Sequence, residues 1–426
     1  MQDHPVLGQV ALGFSPMIDH KRAVLATRLT VFPDKHDQIP EAAALLRAIE
    51  EVWPAATGDD GAALPSLKLN LRPLGQGAAA AQGPGARPLL SLNVAGEGLL
   101  KAVLDAAPGP HLMIEVPAFM VSDPAQTPAL RALHAAGSVL LIKGRPLAPM
   151  SPELLACFVH SIVDAADERR GTTAPPPGVR KVTTVQTGVH TVAGLDLAFQ
   201  RGAVAVLGWQ FDDDLPVSKG RRSLPPDAMV VIELISAVDR EEHVNKLEAI
   251  LKRDPTLGFR LMRYLNAPAF GLGVEINSFA HALMLIGYQR LKRWLALLLA
   301  SSSKDINAKA TIYAAVRRGL MMEELGKAGG DRERSSEMFI CGVFSLLDRL
   351  LQQPFEDILS NLPLPERVLQ ALRGEGGPYG PYLDLVRAIE QESVLDIREC
   401  RERLFLGLAE VNRALLLALR AARQLD

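Results

Sequence analysis

The spacing of apolar and polar positions divides the chain into two halves. Over residues 1–210, short apolar runs alternate with stretches of helical spacing, an order that favours an α/β fold with a parallel sheet or barrel. The apolar runs predict strands over Val6–Phe14, Ala23–Phe32, Leu67–Leu71, Leu89–Val94, His111–Val116, Ser138–Ile142, Lys181–Gln186 and Ala203–Leu207. The helical spacing predicts helices over Ile39–Trp53, Gly98–Ala106, Pro124–Ala135, Pro152–Arg170 and Thr191–Arg201.

The second half has helical spacing throughout, and over residues 224–299 it is punctuated by residues that begin or end helices. Asp254 is a favourable N-cap, and Pro255 follows at the first helical position, where its missing N–H costs nothing. Asn266 tolerates the left-handed conformation at a helix end, and Gly287 can end the next helix. We expect these four residues to have structural roles. Further helices are predicted over Thr311–Lys327, Ser336–Gln352, Pro354–Asn361, Pro365–Gly374, Pro381–Glu392 and Ile397–Gln424.

A polar stretch that ends at Arg222 separates the two halves and predicts the domain boundary. We therefore expect one domain over residues 1–214 and a second over residues 222–426. The net charge of −2 gives neither the basic footprint of a nucleic-acid-binding protein nor a membrane-surface signal. The small basic clusters Arg221-Arg222, Arg317-Arg318 and Arg290/Lys292/Arg293 are interpreted first as solvated faces and second as surfaces that dock a partner.

The cysteines and the first residues bear on the compartment. Cys157, Cys341 and Cys400 are odd in number and lie far apart, which argues against a disulfide framework and favours a reducing compartment. The first residues lack the basic and apolar segments of a signal peptide. The expected location is therefore the cytoplasm.

Four segments of the second half resemble the HDOD domain, the HD-related output domain of bacterial signalling proteins. They are Leu224-Pro225-Pro226, Asp254-Pro255, Asn266-Ala267-Pro268-Ala269-Phe270-Gly271 and Leu285-Ile286-Gly287. HD-type phosphohydrolases bind metals through a His-Asp doublet and further histidines. After residue 200 only His243 and His281 occur, and neither is followed by aspartate. The resemblance therefore implies an all-helical output domain without bound metal.

The first half, joined to an HDOD half, is similar to a degenerate EAL domain. That family is a (β/α) barrel that hydrolyses cyclic di-GMP with paired divalent metals at the C-terminal ends of its strands. In this comparison the asparagine and one glutamate of the metal site survive as Asn93 and Glu115. A second glutamate falls on Arg28, and an aspartate pair falls on Lys143-Gly144.

Two divalent metals need several hard oxygen ligands, and Asn93 and Glu115 alone do not supply them. Arg28 and Lys143 would repel the metals. We therefore expect no catalytic residue, no bound metal and no cofactor, with Asn93 and Glu115 as remnants of the metal site. If the barrel binds cyclic di-GMP without cutting it, Arg28 and Lys143 are the candidate phosphate contacts.

These inferences combine into one functional hypothesis. The chain is expected to be a degenerate EAL-like (β/α) barrel followed by an all-helical HDOD domain. It would act in bacterial signal transduction without catalysis, by contact of its HDOD domain with other signalling proteins. The alternative is a cyclic di-GMP-binding sensor or a weak cyclic di-GMP phosphodiesterase. No membrane and no direct nucleic-acid partner is expected, and a homodimer is left open.

Overall fold

The computed structural model describes residues 4–35, 37–54, 90–145, 150–168, 182–213, 226–254, 257, 260–261, 279–303, 305–327, 330–360, 362 and 364–423. Contacts between residues divide the chain into two compact units. The first unit includes the described residues up to Asp213 and also the segment Arg387–Arg413. The second includes the described residues from 226 to Val386 and those from Ala414 onwards. The predicted boundaries, residues 1–214 and 222–426, assign Arg387–Arg413 to the second domain, and they stay a prediction.

The first unit is a closed barrel of eight strands in chain order. Strand β1 is antiparallel to both β2 and β8, whereas every other neighbouring pair is parallel. The strands are β1 Val10–Asp19, β2 Val24–Pro33, β3 Leu90–Val94, β4 Leu112–Pro117, β5 Val139–Lys143, β6 Phe158–Asp164, β7 Thr183–Thr187 and β8 Ala205–Leu207.

Helices alternate with the parallel strands, which confirms the predicted α/β class of this unit. Their bounds are α1 Ala42–Val52, α2 Glu97–Asp105, α3 Ala118–Val121, α4 Thr127–Ala135, α5 Pro152–Leu155, α6 Ala165–Glu168 and α7 Val192–Gln200. Short 3-10 turns cover Pro5–Gly8 and Pro124–Gln126.

The barrel interior has an apolar layer and a polar layer, because alternate residues of a strand point to the same face. The polar layer lies closer to the C-terminal ends of β2 and β4 than the apolar layer does. On β2, Arg28 is the next inward-facing residue after Ala26, and on β4, Glu115 is the next after Met113. The apolar layer consists of Met17, Ala26, Met113, Leu141, Ile162, Val185, Ala205 and Leu207.

Two predictions for this unit are wrong in part. The helix predicted over Pro152–Arg170 is interrupted by β6, whose Phe158, Ile162 and Val163 suit a strand. The first predicted strand, Val6–Phe14, begins at Val10 instead, because Pro5 starts a 3-10 turn. The strand predicted over Leu67–Leu71 lies outside the described residues.

All regular elements described after Asp213 are helices, which confirms the second part of the predicted fold class. Gly342 and Gly319 allow two of these helices to approach each other closely, since a Cβ on Gly342 would lie 2.6 Å from the backbone of Arg318. The helices are α8 Pro226–Asp239, α9 Val244–Leu251, α10 Phe279–Ala300, α11 Ala308–Lys327, α12 Arg332–Phe344, α13 Leu347–Leu351, α14 Phe355–Leu359, α15 Glu366–Arg373, α16 Gly380–Glu390, α17 Val394–Arg403 and α18 Leu408–Arg423.

Two further expectations need correction. The long helix predicted over Ile397–Gln424 breaks after Arg403, where Phe405 adopts a left-handed backbone with φ of 55°. Arg317 and Arg318 are buried, not solvated: Arg317 stacks on the ring of Tyr313, and Arg318 donates to Ser345 Oγ at 3.0 Å. Arg221 and Arg222 lie outside the described residues. In the described part of the chain, no helix combines the length and the apolar character needed to cross a membrane.

Two of the four predicted capping residues lie in the described part of the second unit. The Asp254 carboxylate accepts a hydrogen bond from the Leu257 N–H at 3.1 Å, which is the geometry of an N-cap. Gly287, with φ of 71° and ψ of 159°, separates two helical stretches within α10. Pro255 and Asn266 lie outside the described residues, so their structural roles stay predictions.

Candidate functional site

Four residues singled out in the sequence lie on adjacent strands of the barrel. Arg28 is on β2, Asn93 on β3, Glu115 on β4 and Lys143 on β5. The parallel pairing of these strands brings their side chains into one polar layer near the C-terminal end of the barrel. We call this layer the mouth layer; it also contains Ser15, Thr30 and Ser91.

The strongest contact of the mouth layer joins Arg28 to Glu115. Arg28 donates from Nε at 2.9 Å and from Nη2 at 2.7 Å to the two carboxylate oxygens, and Ser91 Oγ donates to Oε1 at 3.0 Å. The Glu115 side chain has no exposed surface, and that of Arg28 is 11% exposed. Burial alone would lower the pKa of Arg28, but the charges of Glu115 and Glu392 outweigh burial and raise it. A two-fold hydrogen bond of this kind fixes both groups.

Lys143 begins a second line of hydrogen bonds across the mouth layer. Its Nζ donates to Asn93 Oδ1 at 2.8 Å, and Asn93 Nδ2 donates to Thr30 Oγ1 at 3.2 Å. Burial lowers the pKa of Lys143, and the positive charge of Arg28 lowers it further, while Glu115 and Glu392 partly offset this lowering. The amide oxygen of Asn93 therefore faces an ammonium group.

Sequence reasoning missed one member of this site, Glu392. It lies in the turn between α16 and α17, and its carboxylate reaches the mouth layer. Ser15 Oγ donates to Oε1 at 2.8 Å, Thr30 Oγ1 donates to Oε2 at 2.9 Å, and Arg28 Nη1 lies 3.6 Å from Oε2. The separation of 377 positions between Ser15 and Glu392 explains the miss, because no local pattern joins them.

The oxygens that the EAL resemblance assigns to paired metals bind cationic groups of this chain. Both oxygens of Glu115 face Arg28, and Oδ1 of Asn93 faces Lys143. A divalent metal at either place would have to displace a charge-assisted hydrogen bond and would lie beside a positive charge. Ala118, three residues after Glu115, has an apolar side chain that supplies no ligand. These residues do not fit a pair of metals.

A pocket opens beside the mouth layer, where β3, β4 and β5 end. Its volume is about 450 Å³, and Gly96, Phe119, Lys143, Gly144 and Arg145 are among the residues that line it. Phe119 is 54% exposed. The pocket therefore combines an aromatic surface with the cationic side chains of Lys143 and Arg145.

The described part of the second unit contains no comparable site. Across the described residues of the chain, no three histidine, cysteine, aspartate or glutamate side chains are grouped to hold a metal ion. His243 is the N-cap of α9, and its Nδ1 accepts from the Asn245 N–H at 3.3 Å. Cys157, Cys341 and Cys400 all lie in the described part of the chain, where they are buried and form no disulfide.

Comparison with known families decides what the second half is. Residues 224–353 match the family model of the HDOD domain. The second half contains an HDOD domain. With the closed barrel of the first unit, this match confirms the resemblance to EAL-HDOD proteins of the YuxH-like kind and the predicted fold classes.

Two curated proteins are similar to this chain over part of their length. The uncharacterized protein YuxH of Bacillus subtilis is 32% identical over 168 residues, which cover 38% of this chain and 40% of YuxH. The cyclic di-GMP phosphodiesterase CdgJ of Vibrio cholerae is 26% identical over 207 residues, which cover 48% of each protein. The chain thus spans less than half the length of both relatives.

Among solved structures, the PaMucR phosphodiesterase in complex with c-di-GMP matches 49% of this chain and 98% of its own. Its sequence identity is 15%, and its TM-score is 0.29.

Proposed function

We propose that the chain is a cytoplasmic protein of cyclic di-GMP-related signalling that acts without catalysis, through contact of its HDOD domain with other signalling proteins. The two-fold hydrogen bond between Arg28 and Glu115 carries the non-catalytic part of this proposal. Glu115 is the carboxylate that the EAL resemblance leaves for metal binding, and both of its oxygens are bound to a guanidinium. The name of the relative CdgJ, a cyclic di-GMP phosphodiesterase, supports the link to this nucleotide.

The physical argument is one of competition for the same oxygens. Arg28 is a permanent cation whose planar donors match a carboxylate. If Arg28 moved away, the buried carboxylate of Glu115 would have no counter-charge. A metal would therefore have to replace an ion pair that is already strong. In this proposal the barrel is a structural scaffold without catalysis, and the chain acts through the surface of its folded domains.

The first expected result is an absence of metal-dependent turnover. The full chain, incubated with cyclic di-GMP and Mg²⁺ or Mn²⁺, should release no more linear dinucleotide than a buffer blank, as measured by chromatography. The Glu115→Gln variant is the matched control and should give the same background. Turnover by the unmodified chain that disappears in Glu115→Gln would contradict the proposal.

The HDOD part of the proposal is supported by the exposed side chains of α10. Arg293 Nη1 donates to both oxygens of Glu323 at 2.6 and 2.8 Å, and its guanidinium lies 4.2 Å above the ring of Phe339. These contacts fix the side of α10 that packs inward. Arg290 and Met284 of the same helix are exposed, Met284 by 67%. An exposed apolar side chain and an exposed positive charge on one helix suit the contact surface of a protein partner.

The second expected result concerns this surface. The full chain carrying Met284→Glu and Arg290→Glu should lose the proteins that the unmodified chain captures from native lysate, as measured by quantitative mass spectrometry. Leu197→Glu, at an exposed apolar position of α7 in the barrel, is the control and should keep them. Loss of the partners in Leu197→Glu with retention in the α10 variant would assign the output to the barrel.

A second candidate function is the binding of cyclic di-GMP without hydrolysis. The pocket beside the mouth layer favours it, because Lys143 and Arg145 offer positive charge to phosphate and Phe119 offers a ring to a base.

A further inference from the structure

Glu392 has a backbone conformation that glutamate rarely adopts. Its φ is 56°, in the left-handed region. The Glu392 N–H donates to Ile389 O, and the Ser393 N–H donates to Ala388 O, so Glu392 occupies the position of a helix-ending turn at which glycine is usual. A side chain at this position strains the backbone, and such strain persists only where the surroundings compensate for it.

The compensation lies in the contacts of the carboxylate. Two hydroxyl groups, Ser15 Oγ and Thr30 Oγ1, donate to its two oxygens, and the Arg28 guanidinium stands 3.6 Å away. Thr30 itself accepts from Asn93, which in turn accepts from Lys143, so this line of donors ends at Glu392. Without an anion in the place of the Glu392 carboxylate, the hydroxyl groups of Ser15 and Thr30 would lack the acceptor that they now have. Ser15, Thr30 and Arg28 therefore form an anion site.

The barrel wall is also shaped for this turn. Gly13 on β1 faces Glu392, and a Cβ there would lie 3.0 Å from Glu392 Cγ and 3.1 Å from Ile389 O. Trp209 Nε1 donates to Glu390 O at 3.0 Å, at the end of α16. At the other end of the segment, Asn412 Nδ2 donates to Val10 O at 2.7 Å. The segment Arg387–Arg413 is therefore fixed to the barrel on both sides of Glu392.

We infer that Arg387–Arg413 is an internal ligand of the barrel. The Glu392 carboxylate fills an anion site formed by Ser15, Thr30 and Arg28, which takes the phosphate of an anionic ligand when the segment leaves. Docking of the segment and binding of phosphate exclude each other, because one anion satisfies the donors and two would repel. The inference goes beyond the proposed function, since it holds whether the output is a protein contact or not.

The first test uses hydrogen–deuterium exchange of the full chain. Glu392→Ala should accelerate exchange of amides in residues 387–403 by about ten-fold or more, the factor expected when charge-assisted hydrogen bonds are lost. Glu399→Ala is the matched control, because Glu399 is an exposed glutamate of the same segment, and it should leave exchange unchanged. Peptides from α11 report whether the second unit is intact.

A second variant separates the carboxylate from the turn. Glu392→Gly removes the carboxylate but supplies the residue that the left-handed backbone prefers. If the carboxylate holds the segment, Glu392→Gly should accelerate exchange as Glu392→Ala does. If exchange stays as slow as in the unmodified chain, the turn alone holds the segment and the inference is overturned.

The third measurement addresses the anion. Isothermal titration of the full chain with inorganic phosphate and, separately, with cyclic di-GMP should give about ten-fold tighter binding to Glu392→Gly than to the unmodified chain for at least one probe. Tighter binding of both probes identifies a site for any phosphate, whereas tighter binding of cyclic di-GMP alone identifies a dinucleotide site. Equal binding in the two proteins, or no binding to Glu392→Gly, overturns the competition. Either failure leaves the turnover and partner-capture results unaffected.

Discussion

Replacement of Arg28 by methionine is expected to destabilise the barrel by about 3–5 kcal/mol, the range measured when one partner of a buried ion pair is removed. Arg28 is the charge partner of Glu115, whose side chain is fully buried and receives one other hydrogen bond, from Ser91. Methionine fills much of the arginine volume, so the effect reports the uncompensated charge and not a cavity. Urea unfolding, monitored by hydrogen exchange of peptides from β2 to β5, measures the change in the free energy of unfolding of the barrel.

The control and the rescue make this prediction specific. Arg131→Met removes an exposed partner of Glu153 in the same unit, and it should cost at most about 1 kcal/mol because solvent screens that pair. The double variant Arg28→Met with Glu115→Gln should recover most of the loss, since a neutral amide needs no counter-charge. If Arg28→Met were as mild as Arg131→Met, the pair would not be a stability determinant of the barrel.

The sequence predicts the barrel because its signals are local. Strands and helices alternate with short connections, and the C-terminal ends of parallel strands meet at one edge. That rule is sufficient to place Arg28, Asn93, Glu115 and Lys143 in one layer. It does not predict their partners: Arg28 and Lys143 were expected to repel metals or to bind phosphate, whereas they bind Glu115 and Asn93.

Errors occur where packing, and not periodicity, decides the structure. Strand β6 follows a short helix with only two intervening residues, so Pro152–Arg170 could be fitted to one helical stripe. Arg317 and Arg318 resemble a surface pair in sequence, but the close approach of α11 and α12 at Gly342 buries both. Glu392 is the extreme case, because its partners on β1 and β2 lie more than 350 positions away.

The edge of β1 shows how a distant residue completes the barrel. Strand β8 has three residues and pairs with β1 only at Met17, Ile18 and Asp19. The backbone groups of β1 beyond this point need other partners, because buried N–H and C=O groups are rarely left without one. Asn412 is such a partner for two residues of β1 and for one residue of the preceding 3-10 turn. Its Oδ1 accepts from the Leu12 N–H at 3.2 Å, and its Nδ2 donates to the carbonyl oxygens of Val10 and, in the turn, Leu7 at 2.7 Å each.

Asn412→Leu is therefore expected to lower the free energy of unfolding of the barrel by about 3 kcal/mol or more, since each orphaned buried polar group costs about 1–3 kcal/mol. Leucine keeps the number and branching of the side-chain heavy atoms of asparagine but has no polar atom, and Asn412 is only 1% exposed, so the change removes all three hydrogen bonds in a buried place. Amide exchange at Leu12, resolved by NMR, should accelerate with the loss in stability. Asn245→Leu, at an exposed position of α9, is the control and should change stability by less than about 0.5 kcal/mol.

Asn412→Asp tests the contribution of the Nδ2 donor of Asn412 separately from that of its Oδ1 acceptor. Aspartate keeps an oxygen for the Leu12 N–H but sets a negative charge against the carbonyl oxygens of Leu7 and Val10. It should therefore be at least as damaging as leucine, because a buried charge is added to the lost hydrogen bonds. Stability of Asn412→Asp equal to that of the unmodified chain would mean that the donor does not matter. The hydrogen bond from the Leu12 N–H would then be the contact through which residue 412 stabilises the barrel.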